Sequence, residues 1–197
     1  MSESPMISAT QKCELRRRMR GRRAALDDET RERASRRIAG TVAHASFFSR
    51  ARSIACYLPM DEEVDTWPII ARAWRRKKRI FVPLTVRGRV LTFREMTPDS
   101  DLVHNEWGLL EPASGDVIEA KELDLVLTPL VAFDGNRHRI GMGGGYYDRT
   151  FAFLHERRRR FRPKLVGLAF DCQRTEKIAA NPWDIALYRV ITESGQT

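Results

Sequence analysis

The stretch best equipped for chemistry is Arg139-Ile140-Gly141-Met142-Gly143-Gly144-Gly145-Tyr146-Tyr147-Asp148-Arg149, with four glycines inside five residues. Glycine lets a backbone approach a ligand closely, because no Cβ intervenes and φ > 0 costs little. Consecutive free N–H groups ahead of a helix start form an anion-binding nest. The stretch therefore reads as a phosphate cradle. Arg139 suits bidentate pairing with a phosphate. Asp148 suits either an acid at a helix start or a ligand to Mg²⁺, which takes one or two carboxylates plus substrate phosphates. No Gly-Lys-Ser/Thr follows the glycines, and their spacing differs from the dinucleotide fingerprint. His44, His104, His138 and His155 show no paired spacing. Cys13, Cys56 and Cys172 have no neighbouring base, so neither residue type is assigned to catalysis.

The flanking pattern predicts how this stretch is held. An apolar run over residues 123–133 reads as a central strand, and residues 146–160 as a helix with Phe151 and Leu154 inward. Further strands are expected at 53–58, 79–84, 90–95, 164–170 and 189–192, and a helix at 67–77 with Pro68 in its first turn. Residues 99–112 read as irregular. Residues 1–9 read as a loose tail. A basic helical hairpin follows, with Thr10 capping the first helix and Asp27 or Asp28 the second. Leu15, Met19 and Leu26 face inward from the first, and Ala34, Ile38, Val42, Ala45 and Phe48 from the second. Strands alternating with helices predict a three-layer α/β/α fold with a largely parallel central sheet. Ligands in such folds sit beyond the carboxyl ends of strands. Residues 57–63, 133–148 and 171–184 should therefore meet at one edge.

The chain's 197 residues fit a single domain, 1–197. No apolar run approaches the ~20 residues of a membrane-spanning helix. An odd number of scattered cysteines fits a reducing cytoplasm. The net charge of +9 is concentrated: residues 12–37 hold eleven Lys/Arg against five Asp/Glu. Residues 72–79 and 157–164 add six basic residues each. Such a field favours anionic partners: nucleotide phosphates, a polyglutamate tail, RNA or an acidic surface.

Taken together, the glycine block, the Tyr-Tyr-Asp-Arg that follows it and the preceding Pro129-Leu130-Val131-Ala132-Phe133-Asp134 resemble the 5-formyltetrahydrofolate cyclo-ligase (methenyltetrahydrofolate synthetase) family. Lys12-Cys13-Glu14-Leu15-Arg16 matches the family's Lys-x-x-Leu-Arg, whose lysine and arginine reach ATP. The resemblance implies an ATP site at Lys12, Arg16, Arg139, Ile140, Gly141, Met142, Gly143, Gly144, Gly145, Tyr146 and Tyr147. It implies folate contacts at Leu58, Glu63, Trp107, Gly145 and Tyr146. Mg²⁺ would sit on Asp148 and on Asp184 of the Pro182-Trp183-Asp184 motif, and Arg139, Lys12 and Tyr147 would act in catalysis. Tyr188 departs from the family, which often carries aspartate there. The implied reaction closes 5-formyltetrahydrofolate to 5,10-methenyltetrahydrofolate with release of ADP and phosphate, through a phosphorylated formyl (imidate) intermediate.

A cytoplasmic monomer or weak dimer is expected, acting on 5-formyltetrahydrofolate and its polyglutamylated forms, with no membrane or nucleic-acid partner. Two other readings compete: a binding protein using the basic hairpin, which no RNA-module motif supports, and a kinase for another small anion, which would not need Glu63 and Trp107.

Overall fold

The computed structural model describes residues 8–60, 62–155 and 163–197. Helix α1 (Ala9–Ala24) starts directly after Ser8, whose Oγ accepts from the Gln11 amide while Gln11 Oε1 accepts from the Ser8 amide. This capping box satisfies two otherwise orphaned donors and makes Ser8, rather than Thr10, the cap. Residues 1–7 of the expected tail lie outside the described residues, but Ser8 caps a helix and Ala9 is its first residue. Asp27 caps α2 (Asp28–His44) by accepting from Thr30 N at 2.7 Å. A break at Ala45 puts Phe48 on a separate short helix, α3 (Ser46–Arg50).

The chain then runs through β1 (Ser53–Cys56), α4 (Trp67–Arg75), β2 (Arg79–Leu84) and β3 (Thr92–Met96). Next come β4 (Leu102–His104), β5 (Leu110–Pro112), β6 (Val117–Ile118), β7 (Leu125–Pro129), β8 (Ala132–Phe133) and β9 (Arg139–Ile140). It closes with α5 (Tyr146–Phe151), β10 (Lys164–Leu168), β11 (Arg189–Thr192) and β12 (Gly195–Gln196). Eight strands form one sheet in the order β12-β11-β10-β7-β1-β2-β3-β6. The five strands from β11 to β2 are mutually parallel, and the outer ones antiparallel. The fold is thus mixed α/β with a mostly parallel sheet flanked by helices, as the strand–helix alternation predicts.

The central strands are apolar throughout because both faces are covered. On one face Ile38, Val42, Phe48 and Ile70 pack on Ile54, Ile80, Leu125 and Val166. On the other, Phe151, Leu130, Phe133, Ile185 and Leu187 pack on Phe81, Phe93, Val126 and Val190. Each fully buried Phe or Ile side chain contributes roughly 1.5–3 kcal/mol. The second face has less helix than the sequence predicts. Its helix ends at Phe151 and tightens into a 3₁₀ turn over Ala152–Leu154, and residues 156–160 of the expected helix lie outside the described ones.

Two further expectations are corrected. The run 123–133 is not one strand: the chain leaves the sheet after Pro129, and β8 pairs with β9 instead. Gln173 holds the exit, its buried Nε2 donating to the carbonyls of Leu130 (2.7 Å) and Val131 (3.1 Å). The stretch 99–112 is not irregular, since β4 and β5 form a hairpin. Asn105 Oδ1 organises its turn by accepting from the amides of Trp107 and Leu109.

Candidate functional site

β1 connects to β2 on one side of the sheet, while its other neighbour, β7, pairs onward with β10. The strand order therefore reverses between β1 and β7, and at such a switch point a crevice opens beyond the carboxyl ends. A cleft of about 940 Å³ lies there. Lys12, Arg16, Leu58, Glu63, Trp107, all of residues 139–148, and Asp184 line it. Every residue that the resemblance assigns to the ATP, folate or metal site therefore borders one cavity. Of the three segments expected to converge, 171–184 reaches it only through Trp183 and Asp184.

The glycine loop keeps its amides available. Among the described residues, the N–H groups of residues 141–145 donate no hydrogen bond within the protein. Gly143 (φ 113°) and Gly145 (φ 63°) hold backbone conformations that L side chains rarely adopt. Because α5 is only six residues long, the cradle relies on these loop amides rather than on a helix macrodipole.

α1 reaches across from the other end of the chain. Arg16 Nε donates to Gly141 O at 2.8 Å, and Lys12 Nζ lies 3.7 Å from Asp184 Oδ2. Leu15 and Met19 anchor the helix against Val131, Ala132, Ile140 and Ile178. Below the loop, the buried Asp134 accepts from the amides of Asn136, His138 and Ile178, which fixes the approach to β9.

Arg139 is more committed than a bidentate phosphate ligand would be. Nη1 donates to Ile185 O, and Nη2 pairs with Asp148 Oδ1 at 2.8 Å. The same Asp148 oxygen accepts from Ile185 N at 3.1 Å. Asp184 Oδ2 accepts from Asn181 N. In each acid these contacts fall on one oxygen, leaving the other outside them. Among the described residues no three His, Cys, Asp or Glu cluster as a metal cage. Asp148 and Asp184 are the carboxylates lining this part of the cleft, and two carboxylates are a donor set that a Mg²⁺ ion would complete with phosphate oxygens.

The opposite wall is apolar, with one buried acid. Glu63 is 9% exposed, and its Oε2 accepts from Met60 N at 3.3 Å. Burial raises its pKa above the usual carboxylate value, opposed by the Met60 amide and by Arg23. Burial also pushes the Tyr57 and Tyr147 phenols up, reinforced by Glu63, so both stay neutral. Tyr147 stacks on Phe151, and the Arg139 guanidinium lies 5.9 Å from the Tyr147 ring centre. Arg149 lies over Tyr146 at 5.2 Å. Trp107, on the β4–β5 turn, borders the cleft and is 47% exposed. Cys56 is buried and its thiol is pushed up to about 12 by that burial, so it is inert. Tyr188 does not border the cleft; it lies under Lys164, whose Nζ is 4.3 Å from the ring centre.

Sequence reasoning missed Tyr57, Trp183 and Arg149 as cleft residues and Arg23 as the cation beside Glu63. A signal for Arg23 did exist: Lys12, Arg16, Met19 and Arg23 recur at spacings of four, three and four, one face of a helix.

The cleft is that of an α/β protein built to receive an anionic ligand beside an apolar, acid-bearing wall. The chain belongs to the 5-formyltetrahydrofolate cyclo-ligase family, whose model matches residues 8–193. It is 37% identical over 180 residues to the 5-formyltetrahydrofolate cyclo-ligase of Escherichia coli (strain K12), covering 89% of this chain and 97% of that protein. It is 36% identical over 146 residues to the Haemophilus influenzae 5-formyltetrahydrofolate cyclo-ligase, covering 72% of this chain and 76% of that one. The NMR structure of Aquifex aeolicus 5,10-methenyltetrahydrofolate synthetase superposes with a TM-score of 0.79 at 28% identity, over 94% of this chain and 91% of that chain. The resemblance drawn from the sequence motifs thus holds at the level of the family, and the chain is a ligase of folate metabolism. Among the described residues no helix is long and apolar enough to cross a membrane.

Proposed function

We propose that the protein converts 5-formyltetrahydrofolate to 5,10-methenyltetrahydrofolate at the expense of ATP. The observation that carries this reading is the pairing, in one cleft, of five unengaged loop amides with a buried carboxylate and an exposed tryptophan. The first is suited to phosphates, the second pair to a flat, donor-bearing pteridine.

The N5-formyl oxygen is amide-like and a poor leaving group. Its attack on the γ-phosphorus of ATP forms the O–P bond and releases ADP, leaving a phosphorylated imidate. N10 then bonds to the formyl carbon, loses its proton, and phosphate departs with the former formyl oxygen. Phosphoryl transfer of this kind asks mainly for positioning and charge neutralisation. The amides of residues 141–145 grip phosphate oxygens, and Lys12 and Arg16 bring positive charge from α1. Arg139 adds charge and orients Asp148. Asp148 and Asp184 would hold Mg²⁺, which when bound neutralises phosphate charge. Leu58, Glu63 and Trp107 seat the folate, and Tyr146 and Tyr147 lie between the two ligands.

The reading includes a single domain working in the cytoplasm as a monomer or weak dimer. The basic surface favours polyglutamylated forms of the substrate. Mixing the protein with MgATP and 5-formyltetrahydrofolate and following the absorbance of the methenyl product tests the proposal. No turnover by folded protein would sink it.

A further inference from the structure

Arg23 lies near the carboxyl end of α1 and is 3% exposed. Its Nη1 is 3.8 Å from Glu63 Oε1, its Nη2 is 3.6 Å from Glu62 Oε2, and its buried Nε has no hydrogen-bond partner among the described residues. We propose that Arg23 is a positioning residue for Glu63, supplying from a stand-off distance the buried positive charge that keeps this carboxylate ionised and open to the cleft.

The distances carry the argument. At 3.6 and 3.8 Å neither nitrogen is within hydrogen-bonding reach, so Arg23 balances charge without occupying the acceptor sites of Oε1. Oε2 is already held by Met60 N. That leaves Oε1 as the oxygen able to accept N–H groups from a ligand. An arginine in direct bidentate contact would have filled both oxygens.

The groups facing Glu63 are Glu62 beside it, Arg23 from α1, Tyr57 after β1 and Tyr147 on α5. The two phenols are neutral and Glu62 is repulsive, so the stabilising charge comes from Arg23. Burial opposes ionisation of Glu63, and the Met60 amide and then Arg23 favour it, so removing Arg23 raises the Glu63 pKa further. The ligand class is a flat heterocycle with adjacent N–H donors, such as an aminopyrimidinone edge. Its identity as folate rests on the proposed function; the relation between Arg23 and Glu63 does not.

The test labels glutamate side-chain carboxyl carbons with ¹³C and follows their NMR titration, with Glu63 assigned by the signal lost in Glu63→Gln. In Arg23→Met the Glu63 midpoint should rise by about 1 pH unit or more, while Arg23→Lys should stay near wild type. The KM for 5-formyltetrahydrofolate in Arg23→Met should rise above wild type by a larger factor at pH 6 than at pH 8, with kcat at saturation preserved and Arg23→Lys largely rescued. A folded Arg23→Met with an unmoved midpoint, or with a KM increase equal at both pH values, overturns the proposal. Should Arg23→Met fail to fold, Arg23→Gln replaces it and is judged by the same midpoint. If wild-type protein shows no turnover, the proposed function falls, and the NMR midpoint still decides the role of Arg23.

Discussion

Arg139 Nη2 meets Asp148 Oδ1 at 2.8 Å, and the backbone N–H of Ile185, next to Asp184, donates to that same oxygen. One carboxylate oxygen therefore ties the glycine loop to the C-terminal segment, while its twin is free of these contacts. Asp148→Asn can keep the Ile185 bond but loses the charge. We expect kcat to fall about 100-fold or more, with the circular dichroism spectrum and melting temperature close to wild type. The Mg²⁺ concentration for half-maximal rate should rise. Near wild-type turnover in this variant means that Asp148 does not hold the metal.

Arg16 is the hydrogen-bonded link between α1 and the glycine loop, through Gly141 O. A hydrogen bond from a charged donor is worth about 1.5–3 kcal/mol, so Arg16→Ala should raise the KM for ATP at least about tenfold. Steady-state kinetics with each substrate varied in turn separates this from a folate effect. Arg16→Lys should recover little, because a lysine ammonium cannot reproduce the Nε geometry. An unchanged KM for ATP would show that α1 is not part of the nucleotide site.

Trp107 is about half exposed on a hairpin turn whose shape is set by Asn105 rather than by the indole. Trp107→Ala should therefore cost little stability while weakening folate binding by ~1–3 kcal/mol, the usual worth of a base-like ring stacked on an aromatic. Titration calorimetry with 5-formyltetrahydrofolate reads the loss directly. Equal affinity in the variant would place the pteridine elsewhere.

Glu95 on β3 receives two hydrogen bonds from Arg79 on β2, at 2.7 and 2.6 Å. These bonds lower its pKa below the usual 4.5. The folded value is depressed, so the stabilisation is complete above the ordinary carboxylate range and disappears as pH falls through the folded value. Glu95→Gln should lose about 1 kcal/mol at pH 7, as expected for a well-formed but largely solvated pair, and almost nothing near pH 3. Urea melts at the two pH values check this; an equal loss at both would remove the electrostatic explanation.

The sequence was most readable where local chemistry decides structure. The glycine block, the Lys12 and Arg16 pair and the continuously apolar strands all announce themselves, because backbone conformation, ligand charge and two-sided burial restrict residue type. It was least readable where a remote side chain decides. Residues 130 and 131 look like strand, but Gln173 takes their carbonyls away from the sheet. The β4–β5 hairpin hides because its strands are three residues each and only Asn105 marks the turn. Arg23 is one of many arginines in α1, and only the burial of the Glu63 loop against it separates it from the solvated ones.

α1 contributes no strand to the sheet, and side chains alone attach it to the glycine loop and to the Glu63 loop. Lys12, Arg16 and Arg23 lie along eleven helical steps, about 16.5 Å of helix. A chain beginning after this helix would retain every strand of the sheet and the whole glycine loop. It would lose Lys12 and Arg16 from the cleft and Arg23 from beside Glu63, and it would uncover Val131, Ala132, Ile140 and Ile178. On the proposed function, a proteolytic clip behind α1 would therefore silence the site while leaving the sheet's strands in the chain, with a newly exposed apolar patch as its visible mark.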